Sequence, residues 1–432
     1  MFFNIIIALG LLLITTLVMS RFLNFHKNIW VLFIAQPLAM SASPVIVFIG
    51  GILSSKMASD PSLATLPITV MVLGVASASI PAAMLAKNKG RKFATLTGFS
   101  LTLFAALTAM LAATKASFEL FLLASLFFGF STAFIQQLRF SAIESVDKAE
   151  DIPKVLSILM LSGLFAAFIG PEVALAGKDL LDSPYGYAGS FMLLAILAIA
   201  AILVGLVFRD PEQQTTVNHS EVRPLGIILK QPIFIISILT AAIGYALMSY
   251  LMTATPLSMH HMHGHSLQET KWVIQSHIAA MFIPSLFTAW LVKKFGIKSL
   301  LLSGTVIYAI VAVIALSGEQ VLHYWWALIL LGIGWNFLFL TGTTLLPLSY
   351  NAGERHKVQA TNDFILFGFQ AFASLMAGWM LFKAGWHAVV LSSLPFIIAL
   401  FFITLHFYRR EAKINKLEQV TEAFIPNKTK ET

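Results

Sequence analysis

Apolar runs of helical length follow one another along almost the whole chain, separated by short charged or turn-rich breaks. A helix that crosses the hydrocarbon core of a bilayer needs about 20 apolar residues. The pattern therefore predicts an all-α polytopic membrane protein. We name the first run the preliminary segment and the rest spans 1 to 12; the thirteen runs cover about 2–20, 29–53, 64–86, 94–114, 118–138, 155–177, 188–208, 232–256, 270–292, 299–317, 324–346, 361–383 and 387–408.

Charge placement predicts the orientation of these spans. Of the 432 residues 58% are hydrophobic and only 11% are charged, far below the quarter or so that soluble domains carry. The loops that follow the preliminary segment and every second span, together with the C-terminal tail, hold 23 of the 28 lysines and arginines. The positive-inside rule places these loops and the C-terminus in the cytoplasm. The chain has no cysteine, which excludes disulfides and thiolate metal ligands.

The two halves of the chain repeat the same features. "KNKGRK" around Gly90 after span 2 recurs as "KKFGIK" around Gly296 after span 8, 206 positions later. "LFFGFSTAF" around Gly129 in span 4 is similar to "ILLGIGWNF" around Gly332 in span 10, 203 positions later. Equivalent features that face the same side indicate a parallel duplication, with two six-helix bundles related by a pseudo-two-fold axis along the membrane normal.

These features divide the chain into five parts: an extra N-terminal hydrophobic segment with a basic turn (1–28), an N-terminal six-helix bundle (29–208), a cytoplasmic linker (209–231), a C-terminal six-helix bundle (232–408) and a basic cytoplasmic tail (409–432). Segment 2–20 lacks the basic start and the small-residue cleavage site of a signal peptide. We expect it to form an extra span; an interfacial helix or an over-long start is the alternative. The tail favours contact with anionic lipid, not with nucleic acid.

From residue 29 to 408 the sequence resembles the major facilitator superfamily of transporters. Gly90, Arg91 and Lys92 match the end of that family's loop signature after its second helix, although Lys87 stands where the signature has an aspartate. Gly170-Pro171 in span 5 is similar to part of the antiporter signature, which ends in Gly-Pro-x-x-Gly-Gly. Val173, Ala174 and Leu175 break that ending, so export is not inferred.

A narrower resemblance rests on several stretches: "QQLRFSAIES", "IGPEVALAGKDL", "MTATPLSMHHMHGHS", "VIQSHIAAMFIPSLFT", "LGIGWNFLFLTGTTLL" and "QATNDFILFG". They look like a branch of bacterial permeases that includes riboflavin-transporter-like proteins.

The resemblance implies a central cavity lined by spans 1, 4, 7 and 10. Aromatic side chains can stack on a flat solute there while amides bind its polar edge. The alternative is helix packing, because small and polar residues also join membrane helices. The candidate substrate-binding residues are Gln36, Ser41, Phe134, Gln137, Tyr245, Tyr250, Trp335 and Asn336, with Gln275 and His277 in span 8 and Gln370 in span 11; Ser43, Phe130 and Ser249 lie at similar depths.

Ionisable side chains inside a membrane are functional candidates by default. Glu172 lies near the outer end of span 5 and is a candidate carrier of a coupling proton, or a residue hydrogen-bonded to a neighbour such as Lys178. At the cytoplasmic ends of the spans the candidate gating residues are Lys87, Arg91, Arg139, Glu144 and Asp363; an ordinary interface ion cluster is the alternative.

Four histidines lie within "HHMHGH" in the predicted outer loop after span 7: His260, His261, His263 and His265. Imidazoles could bind copper, nickel or zinc, but no Asp, Glu or Cys lies within the run, so these residues are only weak metal candidates. A pH sensor and a solvated turn are the other interpretations. His277 lies about 10 Å below the outer surface and could bind solute or a proton.

Together these features predict a secondary active transporter and not an enzyme. No phosphate-binding loop of the form GxxxxGK[ST] is present, so transport would draw on an ion gradient or on the gradient of the solute. We expect a monomer in the bacterial inner membrane that needs no cofactor and uses protons as coupling ion. Uptake of a riboflavin-like aromatic metabolite is the first hypothesis. A siderophore or metal-chelate permease is the second, and a transport-inactive sensor or assembly protein is the alternative from another class.

Overall fold

The computed structural model describes residues 2–146, 151–211 and 223–424, and within these ranges the regular structure is helical throughout. Eleven helices in this part of the chain are long and apolar enough to cross a membrane. One of them, Lys357–Phe407, contains both span 11 and span 12, which are separated by a sharp bend at Gly385 (φ 80°). Parts of the predicted linker (212–222) and tail (425–432) lie outside the described residues.

The helix of span 8 is interrupted by a 3-10 turn near its inner end. Helix Leu267–Phe282 passes into a 3-10 turn, Ile283–Phe287, and the chain continues in helix Thr288–Leu316, which bends at Gly296 and then forms span 9. The remaining segments are Phe2–Phe22 (preliminary), Lys27–Met57, Pro61–Lys89, Arg91–Lys115, Phe118–Ile143, Ile152–Ala176 and Ala188–Gly205 (spans 1 to 6), Pro232–Met262 (span 7), Val321–Ser349 (span 10) and Arg355–Phe424 (spans 11 and 12).

The internal repeat is visible in the backbone. Gly90 and Gly296 both adopt positive φ, 90° and 74°, at the turns after spans 2 and 8. L-residues avoid this region, which explains why glycine stands at both turns. Gly129 packs against the backbone of Met71 in span 2, and Gly332 packs against the backbone of His277 in span 8. Met71 and His277 are themselves 206 positions apart, so the same helix pair packs in the same way in each half.

We call residues 29–208 the N-terminal half and 232–408 the C-terminal half, and we use outer and inner for the ends as charge placement predicts them. The halves meet where span 5 packs on span 8 and span 2 packs on span 11. Near the outer ends Thr65 Oγ1 lies 3.5 Å from the carbonyl oxygen of Leu375, and Gly51 lies against Leu257. The outer ends of the two halves are therefore in contact.

The preliminary segment is an additional helix on the outside of the N-terminal half. It packs on spans 1 and 5 through Ile5, Leu12 and Thr16, which are buried. Most of its other side chains are large, apolar and exposed, as suits a surface that faces lipid.

Candidate functional site

Four aromatic side chains from three helices of the C-terminal half meet on the side that packs against the N-terminal half. Trp335 and Phe339 of span 10 stack with their ring centroids 5.1 Å apart and 9° between the planes. Tyr245 of span 7 meets both rings edge-on, at 5.2 Å and 5.8 Å, and also meets Phe367 of span 11 at 6.3 Å. We call these four residues the aromatic cluster.

Buried polar atoms without a partner lie in the same helices. The indole nitrogen of Trp335 and the hydroxyl of Ser249, one turn beyond Tyr245, are buried with no hydrogen-bond partner. A buried donor without an acceptor costs about 1–3 kcal/mol. An acceptor from a bound solute would remove this cost.

The seam between spans 8 and 10 carries two more unpaired atoms. Asn336 donates from Nδ2 to the carbonyl oxygen of Met281 at 2.8 Å and to Ser285 at 2.5 Å, where span 8 loses its helical bonds, while its Oδ1 has no partner. The Nδ1 of fully buried His277 lies 2.7 Å from the carbonyl oxygen of Leu328. A carbonyl only accepts, so Nδ1 carries the hydrogen and the unpaired Nε2 is an acceptor.

The repeat shows that these polar groups belong to one half only. At an offset of 206 the N-terminal half has Met71 where the C-terminal half has His277, and at 203 it has Ala133 where the C-terminal half has Asn336. The fold itself does not require a polar side chain at either place.

Several predicted substrate-binding residues have local partners instead. Gln36 donates to the carbonyl oxygen of Leu159 at 3.3 Å, and Ser41 donates to that of Pro37 at 2.7 Å. Tyr250 hydrogen-bonds Ser392 of span 12 at 2.8 Å. Gln137 and Gln370 are half-buried.

Phe134 lies outside the aromatic cluster. It packs among apolar side chains of spans 2 and 3. Phe130, one turn earlier in span 4, instead packs against the same group of buried side chains between the halves as Tyr245 and Phe339 do. The choice between the two phenylalanines depends on helix rotation, which their spacing in the sequence does not reveal.

A buried ion pair joins the halves near the outer ends of spans 5 and 8. Lys271 Nζ lies 2.5 Å from Glu172 Oε1, and the two side chains are 3% and 9% exposed. One turn farther in, Gln275 donates to the carbonyl oxygen of Phe168 at 3.1 Å. The other carboxylate oxygen of Glu172 is buried without a partner.

Sequence reasoning missed Lys271, which lies at the edge of predicted span 8 (about 270–292) and was not considered as a partner of Glu172. The signal that could have found it is the capping box formed by Ser266 and Glu269. A capping box marks a helix start, so Lys271 lies inside the helix, one turn before Gln275 and on the same face.

The inner ends carry a second set of ionic contacts. Arg91 makes two hydrogen bonds to Glu144, at 2.8 Å and 2.5 Å, within the N-terminal half. Arg139 of span 4 interacts electrostatically with Asp363 of span 11, across the two halves. Lys87 is exposed.

The histidine run connects the outer loops of the C-terminal half through Glu319. His263 Nε2 lies 2.9 Å and His387 Nδ1 lies 3.3 Å from the two carboxylate oxygens of Glu319. His265 Nε2 donates to the backbone oxygen of Glu319 at 2.7 Å. These bonds connect three loops, the ones after spans 7, 9 and 11.

The other two histidines of the run also have neighbours within the protein. His260 Nδ1 bonds the carbonyl oxygen of His265 at 2.9 Å, and the ring of His261 lies against Phe382. Among the described residues, no three His, Asp or Glu side chains are grouped so that they could hold a metal ion.

Comparison with known proteins identifies the relatives of this chain. The sequence model of the family described as the Major Facilitator Superfamily matches residues 29–362 and 241–429 of this chain. The chain is 38% identical over 382 residues to the riboflavin transporter RfnT of Brucella anthropi, which covers 88% of this chain and 95% of that protein. It is 26% identical over 402 residues to the uncharacterised MFS-type transporter YddS of Bacillus subtilis, covering 89% of this chain and 92% of that protein.

Solved structures support the fold. A bacterial homologue of the human lysosomal transporter Spinster, in an inward-facing and occupied conformation, superposes with a TM-score of 0.69 at 15% identity, covering 88% of this chain and 96% of that one. The unoccupied inward-facing form of that homologue gives 0.65 at 17% identity with the same coverage.

Proposed function

Because this chain belongs to the Major Facilitator Superfamily, we propose that it is a secondary active transporter that takes up a planar aromatic metabolite of the riboflavin type across the bacterial inner membrane. The aromatic cluster is the observation that carries this proposal. A flat solute gains dispersion contacts and edge-to-face interactions from such rings, of about 0.5–1.5 kcal/mol for each well-placed pair. The match to a riboflavin transporter along 88% of the chain supports the same class of solute.

Trp335 is the residue that distinguishes a flavin-like solute from a purely apolar one. Its N–H is buried without an acceptor, and a solute with a ring nitrogen or carbonyl oxygen at its edge supplies one. Ser249 is buried, unpaired and on the neighbouring span, and it offers a second hydrogen bond to the same edge.

The contacts between the halves support alternating access. The outer ends meet through Glu172 and Lys271, while Arg139 and Asp363 interact at the inner ends. Rocking of two rigid halves would break one set of contacts as it strengthens the other. Protons are the coupling ion in this proposal.

Calorimetric titration of the purified protein with riboflavin tests the site. Trp335→Phe keeps an aromatic ring and removes the N–H, so we expect affinity to fall about tenfold, or about 1.4 kcal/mol. Trp335→Ala should lose more, because the stacked ring is also removed. Trp325→Phe is the matched control: the N–H of Trp325 is already bonded to Ser276, so riboflavin affinity should not change.

Uptake into proteoliposomes separates the alternative functions. Failure of the wild-type protein to bind or accumulate riboflavin would overturn the riboflavin-type solute. Accumulation of a siderophore or metal chelate instead would identify the second hypothesis. A protein that neither moves nor is stabilised by any of these solutes would be the transport-inactive alternative.

A further inference from the structure

The ion pair between Glu172 and Lys271 is more than a packing contact, as the internal repeat shows. At the offsets of 203 and 206 that relate the halves, Glu172 corresponds to Leu375 and Lys271 corresponds to Thr65. Thr65 and Leu375 are themselves in contact, with Thr65 Oγ1 3.5 Å from the carbonyl oxygen of Leu375. The same seam between the halves is therefore built twice, once with a hydroxyl and a leucine and once with two buried charges.

We call the contact between Thr65 of span 2 and Leu375 of span 11 the neutral seam. It shows that the two halves can be in contact near their outer ends without an ion pair. Burying two charges requires their removal from water, and a well-packed apolar replacement is often as stable or more stable. The charges in the span 5–span 8 seam therefore do something that the span 2–span 11 seam does not.

One carboxylate oxygen of Glu172, Oε2, is available to bind a proton. Lys271 bonds only Oε1, and Oε2 is buried with no partner. On its other sides span 5 contacts span 1 at Pro44 and span 6 at Ser190, and it contacts the preliminary helix. Among the described residues that these segments bury against span 5, none is ionisable, so the ammonium group of Lys271 is the charge that faces the carboxylate.

Other titratable groups of these segments lie to either side of the pair. Lys56, Lys178 and Asp179 lie farther out, where they line a cavity at the outer surface. His277 lies six residues farther in along span 8, about 9 Å along the helix axis.

Opening of the outer side must separate the two charges. Lys271 lies in the second turn of its helix, and its long side chain can reach outer water as the seam opens. Glu172 follows Pro171 within span 5 and has a short side chain. Separation would leave its carboxylate without a countercharge in a medium of low dielectric, which is strongly unfavourable.

We propose that Glu172 is a proton-binding site that releases the outer gate. A proton from the outer side binds the carboxylate at Oε2, the neutral acid no longer holds Lys271, and the seam between spans 5 and 8 opens. On closure the ammonium group of Lys271 returns, the carboxyl group gives up its proton to water, and the ion pair forms again. This inference rests on the proposed alternating-access function and names the ion that operates one of its gates.

Cysteine labelling tests the gate without any solute. The natural chain has no cysteine, so a single Ser249→Cys replacement gives one reporter, buried on span 7 and inward of the outer contacts. A membrane-impermeant maleimide is applied from outside to right-side-out vesicles at pH 7.5 and at pH 5.5. The reactive thiolate is scarcer in acid, so each rate is divided by that of the denatured protein at the same pH. On this scale we expect slow labelling at pH 7.5 and at least tenfold faster labelling at pH 5.5. Thr253→Cys, one turn farther out, is the second reporter if the first variant folds poorly.

Three further variants in the reporter background make the test specific. Glu172→Gln should label rapidly at both pH values, because no carboxylate remains to hold Lys271. Lys178→Met should label like the parent, because Lys178 makes no described bond to Glu172. The double variant Glu172→Leu with Lys271→Thr copies the neutral seam; it should remain closed and label slowly at both pH values.

The outcomes are decisive in both directions. Acid acceleration that persists in the double variant, or a Glu172→Gln protein that stays closed, overturns the proton-released gate. If the Ser249→Cys reporter shows the expected labelling but wild-type protein does not bind riboflavin, the proposed solute is overturned and the gate stands.

Discussion

Gly332 offers the sharpest test of the packing that positions the candidate site. A Cβ added there would lie 2.8 Å from the carbonyl oxygen of His277, 3.1 Å from the amide nitrogen of Met281 and 3.2 Å from the carbonyl carbon of Ala280. All three atoms belong to the backbone of span 8, so no side chain can rotate away. Ordinary carbon–oxygen contacts begin at about 3.3 Å, and spans 8 and 10 would have to separate by about 0.5 Å.

We expect Gly332→Ala to destabilise the protein by about 1–3 kcal/mol, the usual range for overpacking a close interface. Thermal unfolding in detergent measures the change. Gly368→Ala is the control, because Gly368 lies in a helix and a Cβ there meets nothing within 4 Å. That variant should be unchanged or more stable, since alanine stabilises a helix interior by about 0.5–1 kcal/mol relative to glycine.

The Gly332→Ala variant should also weaken solute binding. Separation of the two spans lengthens the hydrogen bond from His277 to Leu328 and shifts Trp335 and Asn336, which follow Gly332 within the next turn. Equal stability and equal affinity of the alanine variants at 332 and 368 would refute the close contact between spans 8 and 10 and, with it, our description of the seam.

Three further predictions concern other parts of the molecule. Hydrogen bonds from Arg223 hold the pKa of buried Glu354 at about 2, below its ordinary 4.5. Wild-type protein should therefore be more stable than Arg223→Gln, by an amount that is largest above about pH 4.5 and becomes smaller as the pH falls toward 2. The thermal midpoints of the two proteins, compared over that pH range, measure this difference. Glu319→Gln should increase hydrogen exchange in the three outer loops that His263, His265 and His387 connect through Glu319. Unchanged exchange would show that these bonds do not hold the loops together. Cysteines introduced at Lys89 and Lys298 should both label from the cytoplasmic side only, because the halves are parallel; labelling from opposite sides would exclude the duplication.

The candidate site could be predicted only in part from the sequence. Tyr245 and Trp335 were found because both are amphipathic aromatic residues near the middle of apolar spans, and the structure brings them together. Phe134 was chosen over Phe130, and Lys271 was overlooked, because each depends on which face of a helix turns inward. Lipid and protein interior are equally apolar, so a uniformly hydrophobic span carries little information about its rotation.

What the sequence by itself determined is the set of membrane helices and their duplication, while their orientation stays a prediction. The helices follow from apolar length, and the duplication follows from glycines that recur where the backbone needs positive φ. The predicted orientation rests on the placement of lysine and arginine. Each of these constraints acts within one segment of chain. The tertiary structure decided the partners: it paired Glu172 with Lys271, 99 residues apart, and brought His263, Glu319 and His387 together from three loops. Pairing depends on how separate helices pack, and a buried charge finds its countercharge only after that packing has formed.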